Sequence, residues 1–238
     1  AKAAATRRGI YVSHIRGESF NLFGALDEAL RIGKESGLPV VVFHLKVGAK
    51  ANWGRMGEAV AKLTAAAAAG QKVSATMYPY TVGGTRLAAV LPLWAQEGGN
   101  GAMLARLADP AQRARMRTEI ESTMDGWENL LMAATFDGVR VASAPPEYDQ
   151  TVVGKSLSEI AAARKTDPWT ALFDVITGTK GRAGALFAMM TAVARQTPFF
   201  QDYGVEDFFT FFDLAKLLGF KNITFSDGNK FAHRIVLK

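Results

Sequence analysis

The sequence predicts an α/β fold in which parallel strands are covered by helices. Three observations carry that expectation. The first 80 residues alternate short apolar runs with amphipathic stretches in the order strand–helix–strand–helix–strand. The run Val40-Val41-Val42-Phe43-His44 is apolar without alternation, which suits a strand buried on both faces. Gly37, Pro39 and Gly70 fall between the runs, where such units turn.

The elements follow in order. Residues 9–14 read as a short buried strand, and Arg16-Gly17-Glu18-Ser19 as a loop. Leu22, Leu26, Ala29, Leu30 and Ile32 recur at helical spacing, with Asp27, Glu28, Arg31 and Lys34 mostly on the other face. Gly37 can cap that helix, and Pro39 opens the second strand. After a glycine-containing loop, residues 53–69 read as a second helix closed by Gly70. Residues 72–77 form the third strand, which Tyr78-Pro79-Tyr80 ends. Residues 87–97, 103–107 and 112–124 look mainly helical, with breaks at Asp109-Pro110 and Asp125-Gly126-Trp127. Residues 130–134 and 139–142 are strand candidates around a hairpin signal, Asp137-Gly138. Residues 156–164 and 168–176 read as short helices, the second with Asp167 as N-cap and Pro168 at its first position. The aromatic stretch that includes Phe199, Phe200, Tyr203, Phe208 and Phe212 fits a helical core or a partner surface. Residues 223–225 then read as a strand ending in Ser226-Asp227-Gly228.

The bulk numbers narrow the chemistry. With 49% hydrophobic and 21% charged residues, the chain can build a core and is not disordered throughout. Its 238 residues fit one large domain or two small ones, and also match an eight-stranded α/β barrel of about 250 residues. The absence of cysteine excludes disulfides, cysteine-ligated zinc and thiol nucleophiles. With only His14, His44 and His233, a metal site made from this chain alone must be poor in histidine. The net charge of +6 comes from basic residues interleaved with acids, so it does not argue for a nucleic-acid surface. No window holds 18 consecutive apolar residues, so no membrane helix is expected. The start, Ala1-Lys2-Ala3-Ala4-Ala5-Thr6-Arg7-Arg8, lacks both an apolar signal core and an initiator Met. A cytoplasmic protein is the default, and a processed, trimmed or incomplete chain fits this start.

In parallel α/β folds, functional residues gather at the C-terminal ends of the strands. His14, His44 and Tyr78 all fall at such ends, and Asp227 follows the last strand. Two imidazoles and a carboxylate can bind zinc, and a carboxylate beside an activated water can take a proton and return it to a leaving amine. Two structural histidines and a turn aspartate fit the same spacing, so spacing alone does not choose.

The longer words add a resemblance. Tyr11-Val12-Ser13-His14-Ile15-Arg16, Ala25-Leu26-Asp27-Glu28-Ala29, His44-Leu45-Lys46, Ala51-Asn52-Trp53-Gly54-Arg55 and Tyr78-Pro79-Tyr80-Thr81 closely resemble the N-acyl-D-amino-acid deacylase (D-aminoacylase) family of the amidohydrolase superfamily. The likeness continues through Leu91-Pro92-Leu93-Trp94-Ala95, Asp125-Gly126-Trp127-Glu128-Asn129, Gly154-Lys155-Ser156-Leu157 and Phe187-Ala188-Met189-Met190, over roughly residues 7–190. It implies a partial (β/α)8 TIM barrel of the metal-dependent hydrolase type, made of strands 5–8 in a single amidohydrolase-like domain over residues 1–238. A mainly helical insertion would occupy about residues 99–200, between barrel strands 7 and 8.

The family hydrolyses the amide of N-acyl-D-amino acids and related linear amides through a metal-activated water. The resemblance implies that His14 and His44 are zinc ligands, and that Lys46 and Tyr78 hold the carboxylate of a small N-acyl amino acid. It also implies that Asp227 is the general base and then the acid. The family's strand 1 His-x-His pair and bridging ligand have no counterpart, since only Ala1 to Arg8 precede the first strand. Phe43 replaces the family's small polar residue, and Thr76 stands where an Asp is common before Tyr-Pro-Tyr. The expectation is therefore a chain without the first half of the barrel, which binds zinc weakly and has little activity alone. The alternative is a non-catalytic half-barrel scaffold that associates with itself or a partner through its open sheet edges.

Overall fold

The computed structural model describes residues 1–77, 80–122, 127–190, 224–225 and 233–235. Residue contacts gather Ala1–Thr81 with Met190–Lys238 in one unit and Val82–Met189 in another.

In the first unit a short helix, α1 (Lys2–Ala5), precedes β1 (Tyr11–Ser13). Then come α2 (Leu22–Ser36), β2 (Val40–Val42), α3 (Met56–Ala68) and β3 (Val73–Met77). The three strands pair in parallel, Val12 opposite Val41 and Val41 opposite Ser74. The expected strand–helix–strand–helix–strand order is present, and its cause is visible in the packing. Leu22, Leu26 and Ala29 of α2 and Met56, Ala59 and Leu63 of α3 join Val40 and Val42 in one buried cluster. Gly37 ends α2 with φ +72°, a left-handed conformation that costs glycine little. The two-sided burial expected of residues 40–44 is not found throughout. Both helices meet the face that carries Val40 and Val42, while Val41 is half-buried and Phe43 is exposed.

The second unit begins with β4 (Gly83–Arg86), a 3-10 turn at Leu87–Val90 and α4 (Leu93–Gln96). It continues through α5 (Gly99–Ala108), α6 (Pro110–Ser122), α7 (Leu130–Gly138) and β5 (Val139–Ser143). It closes with α8 (Leu157–Arg164), α9 (Pro168–Gly178) and β6 (Gly184–Phe187). The strands form an antiparallel sheet in the order β4-β6-β5. Asp167 caps α9 as expected, accepting from the backbone of Trp169 and Thr170. Ser156 and Glu159 form a reciprocal capping box at the start of α8. Residues 130–134 are helical, not a strand. Asn129 caps them by accepting from the Met132 N–H, and Leu-Leu-Met-Ala-Ala is a helix-forming run. The helix breaks at Thr135, where φ is +65°, and Asp137-Gly138 belongs to the short helical turn that follows and does not turn a hairpin.

The first sheet gains two further strands, β7 (Thr224–Phe225) and β8 (His233–Ile235). β8 runs antiparallel to β3, Thr76 opposite Arg234, and β7 pairs with β8, giving the order β1-β2-β3-β8-β7. The strand expected at 223–225 is thus present at Thr224–Phe225, but one place removed from β3, because antiparallel β8 takes that edge. The architecture is α/β, with no closed barrel among the described residues. Among the described residues, no helix is long and apolar enough to cross a membrane. Tyr78, Asp227 and the aromatic stretch around Phe208 lie outside the described residues.

Candidate metal centre

The site is built where β1 and β2 end. His14 follows Ser13 directly, and His44 lies just beyond Val42. Parallel pairing sets these ends side by side, and the two imidazole centroids are 4.9 Å apart. The Phe43 N–H donates to the Ser13 carbonyl at 2.8 Å, extending the ladder past the last paired residues. His44 itself has φ +45°, in the left-handed region where His is among the more tolerated residues. Thr76 of β3 holds this turn. Its hydroxyl accepts from the His44 N–H at 2.6 Å, and its carbonyl accepts from the Leu45 N–H at 2.7 Å.

The two loops that follow these strands interlock. The Gly48 N–H donates to the Glu18 carbonyl at 2.7 Å. A Cβ at position 48 would stand 3.2 Å from that carbonyl oxygen, which favours glycine there. The Asn52 amide donates to the carbonyls of Ser19 and Gly48, tying both loops to the turn before α3. Ile15, Gly17, Glu18 and Ser19 are buried as a result, as are Leu45, Lys46 and Val47.

Glu18 is the centre of the arrangement. Its Oε1 lies 3.0 Å from His14 Nδ1 and 2.9 Å from His44 Nδ1. Its Oε2 lies 2.5 Å from Lys46 Nζ, and that ammonium is also 2.7 Å from His44 Nδ1. The Glu18 side chain is 5% exposed and that of Lys46 7%, so the pair sits out of bulk water. Burial by itself pushes the Glu18 carboxyl up. The His14 and His44 contacts and the Lys46 charge overcome this and hold it at about 2. A buried carboxylate is tolerable because it is paired and hydrogen-bonded.

His14, Glu18 and His44 each offer one ligand atom, and these atoms lie within 4.8 Å of one another. Two imidazoles and one carboxylate are a common protein ligand set for catalytic zinc, so the donors present fit a divalent cation. Of the residues singled out by sequence, His14, His44 and Lys46 are brought together; Tyr78 and Asp227 fall outside the described residues. Glu18 was legible only as a loop residue. The one local signal was an acid four positions after a strand-end histidine.

Comparison with known proteins places the chain. No family model matches it. A stretch of 79 residues is 46% identical to the D-aminoacylase of Alcaligenes xylosoxydans xylosoxydans, covering 33% of this chain and 16% of that protein. Over that stretch the chain is similar to the D-aminoacylases. The N-acyl-D-glutamate deacylase of the same organism is 39% identical over 80 residues, which are 34% of this chain and 16% of the relative. The fold agrees. The crystal structure of N-acyl-D-glutamate deacylase from Bordetella bronchiseptica, complexed with zinc and a phosphonate inhibitor, matches with a TM-score of 0.55 and 26% identity. That match covers 80% of this chain and 30% of the solved one. The chain spans only a minor part of the proteins it matches, 16% of the curated relatives and 30% of the solved structure.

Proposed function

We propose that this chain carries part of a metal-dependent amidohydrolase site that acts on the amide of N-acyl-D-amino acids. The observation that supports this most is the meeting of His14, His44 and Lys46 around one buried carboxylate at the ends of adjacent parallel strands. In this reading β1, β2 and β3 correspond to strands 5, 6 and 7 of a partial (β/α)8 barrel in a single amidohydrolase-like domain. In the same reading, residues of about 99–200 are the insertion that follows; the separately grouped unit has other bounds, Val82–Met189.

His14 and His44 would hold the cation, with zinc as the proposed ion. When bound, zinc supplies a Lewis acid for the amide carbonyl and makes water more acidic. The chain's own residues do the rest. Lys46 carries a buried positive charge next to the histidines, suited to a substrate carboxylate, and the Tyr78 hydroxyl adds a hydrogen bond. Asp227 accepts a proton from the attacking water and delivers it to the departing amine.

The test is amine release from a panel of N-acetyl-D-amino acids and their L-enantiomers by the zinc-treated chain. The proposal predicts release, even if slow, that prefers the D series, stops with chelator and is lost in His14→Ala and His44→Ala. Release that ignores both chelator and enantiomer would count against it.

A second reading has its own support. β1 is the outermost strand of its sheet among the described residues; Val12 within it is 49% exposed and Ile10 just before it 58%. An apolar open edge favours self-association. Sedimentation should then show oligomers that Val12→Lys weakens; a monomer at high concentration would remove this reading.

A further inference from the structure

We infer that Phe43 sets the side-chain preference of the proposed site, so that N-acyl-D-amino acids with apolar side chains are taken before acidic ones; this rests on the amide-hydrolysing reading above and gives it a substrate class. Among the described residues, the Phe, Tyr and Trp side chains that stay exposed are Phe43, Trp53 and Tyr80. All three follow β2 or β3, on the rim where those strands end. Water-facing aromatic rings that share one rim fit the uptake of an apolar group.

Phe43 is the ring of the three that packs on the candidate centre. Its N–H donates to the Ser13 carbonyl at 2.8 Å, so its backbone continues the β1–β2 ladder and is held in place. Strand alternation puts its side chain on the face opposite Val40 and Val42, away from α2 and α3. There it is 42% exposed, with its ring centroid 4.6 Å from that of His44 and the two rings inclined at 58°. On the same imidazole, Nδ1 lies 2.7 Å from Lys46 Nζ. In the reading above Lys46 takes the substrate carboxylate. The substrate side chain branches from the carbon that bears this carboxylate, so it is the group set beside His44 and Phe43. A phenyl ring rewards an apolar side chain with buried area and offers a carboxylate nothing in exchange for its water. The other cations of the two strand-end loops do not reverse this. Arg16 is bound to Glu28 and Arg55 to Glu58, and Lys50 is exposed, where water weakens its pull.

The experiment is NMR titration of the zinc-treated full chain with N-acetyl-D-phenylalanine, N-acetyl-D-glutamate, N-acetyl-D-alanine and N-hexanoyl-D-alanine, repeated with Phe43→Ser and Phe43→Leu. Wild type should bind the phenylalanine derivative at least about tenfold more tightly than the glutamate one, with shifts of the Phe43 ring signals. Phe43→Ser should bring that ratio within about threefold of unity, and Phe43→Leu should keep most of it. Equal or tighter binding of the glutamate derivative overturns the inference, and so does an unchanged ratio in Phe43→Ser. A loss confined to the hexanoyl derivative assigns the ring to the acyl group and overturns it too. The same holds if Phe43→Ser alters only the sedimentation profile, since the ring then faces a second copy. Circular dichroism checks that the variants fold; if Phe43→Ser does not, the wild-type ratio and the Phe43 ring shifts decide. No binding of any of the four compounds ends both the inference and the proposed activity. Preference for the glutamate derivative leaves the proposed activity standing, and the expected ratio without amine release ends only that activity.

Discussion

Protonating Glu18 should destabilise the metal-free protein, and the structure sets the size of the effect. The carboxylate is 5% exposed, 2.5 Å from Lys46 Nζ and about hydrogen-bond distance from two imidazoles. Burial opposes its charge, but the partners prevail and bring its pKa from 4.5 to about 2. A native value below the unfolded one means that acid favours the unfolded chain. The contribution is complete above pH 4.5, shrinks as pH falls below that and is nearly gone at about pH 2. At about 1.4 kcal/mol per pKa unit, the shift corresponds to roughly 3 kcal/mol. The cleanest comparison is the double variant Glu18→Gln/Lys46→Met, which removes both buried charges and leaves neither without its partner. Urea unfolding in chelator from pH 7 to pH 2 should show wild type losing about 3 kcal/mol relative to the double variant. Carbon-13 NMR of the Glu18 carboxyl reads the titration directly. Parallel stability profiles, or a Glu18 carboxyl that titrates at 4.5 or above, would refute the reasoning.

Other expectations follow from the packing. Thr76→Val removes the acceptor for the His44 N–H and should cost about 1–3 kcal/mol in urea unfolding, with weakened zinc binding. Leu26→Ala empties a fully buried position of the α2 face and should cost about 2–5 kcal/mol by the same measurement. Asp167→Ala deletes the α9 cap, which accepts from Trp169 and Thr170, and should cost about 1 kcal/mol. By contrast, Arg16→Ala breaks an exposed pair with Glu28 and should change stability by less than about 1 kcal/mol.

Much of the first unit was legible because its signals are local. Leu22, Leu26 and Ala29 repeat at helical spacing, and Val40-Val41-Val42 has the composition of a strand. His14 and His44 could be placed together because strand ends in a parallel sheet share one rim. Glu18 could not, since its burial comes from two loops meeting through Gly48 and Asn52, which no local pattern encodes. Residues 130–134 were misread because a short apolar run has no period; the Asn129 cap carried the missing information. The antiparallel insertion of β8 beside β3 is a long-range pairing, so the apolar pattern at 223–225 revealed a strand without its neighbour.

The most direct measurement is anomalous diffraction at the zinc edge from crystals of the zinc-treated chain. The account predicts one strong peak in contact with the imidazoles of His14 and His44. Zinc seated elsewhere, or a zinc-saturated protein with no peak between these side chains, would contradict it.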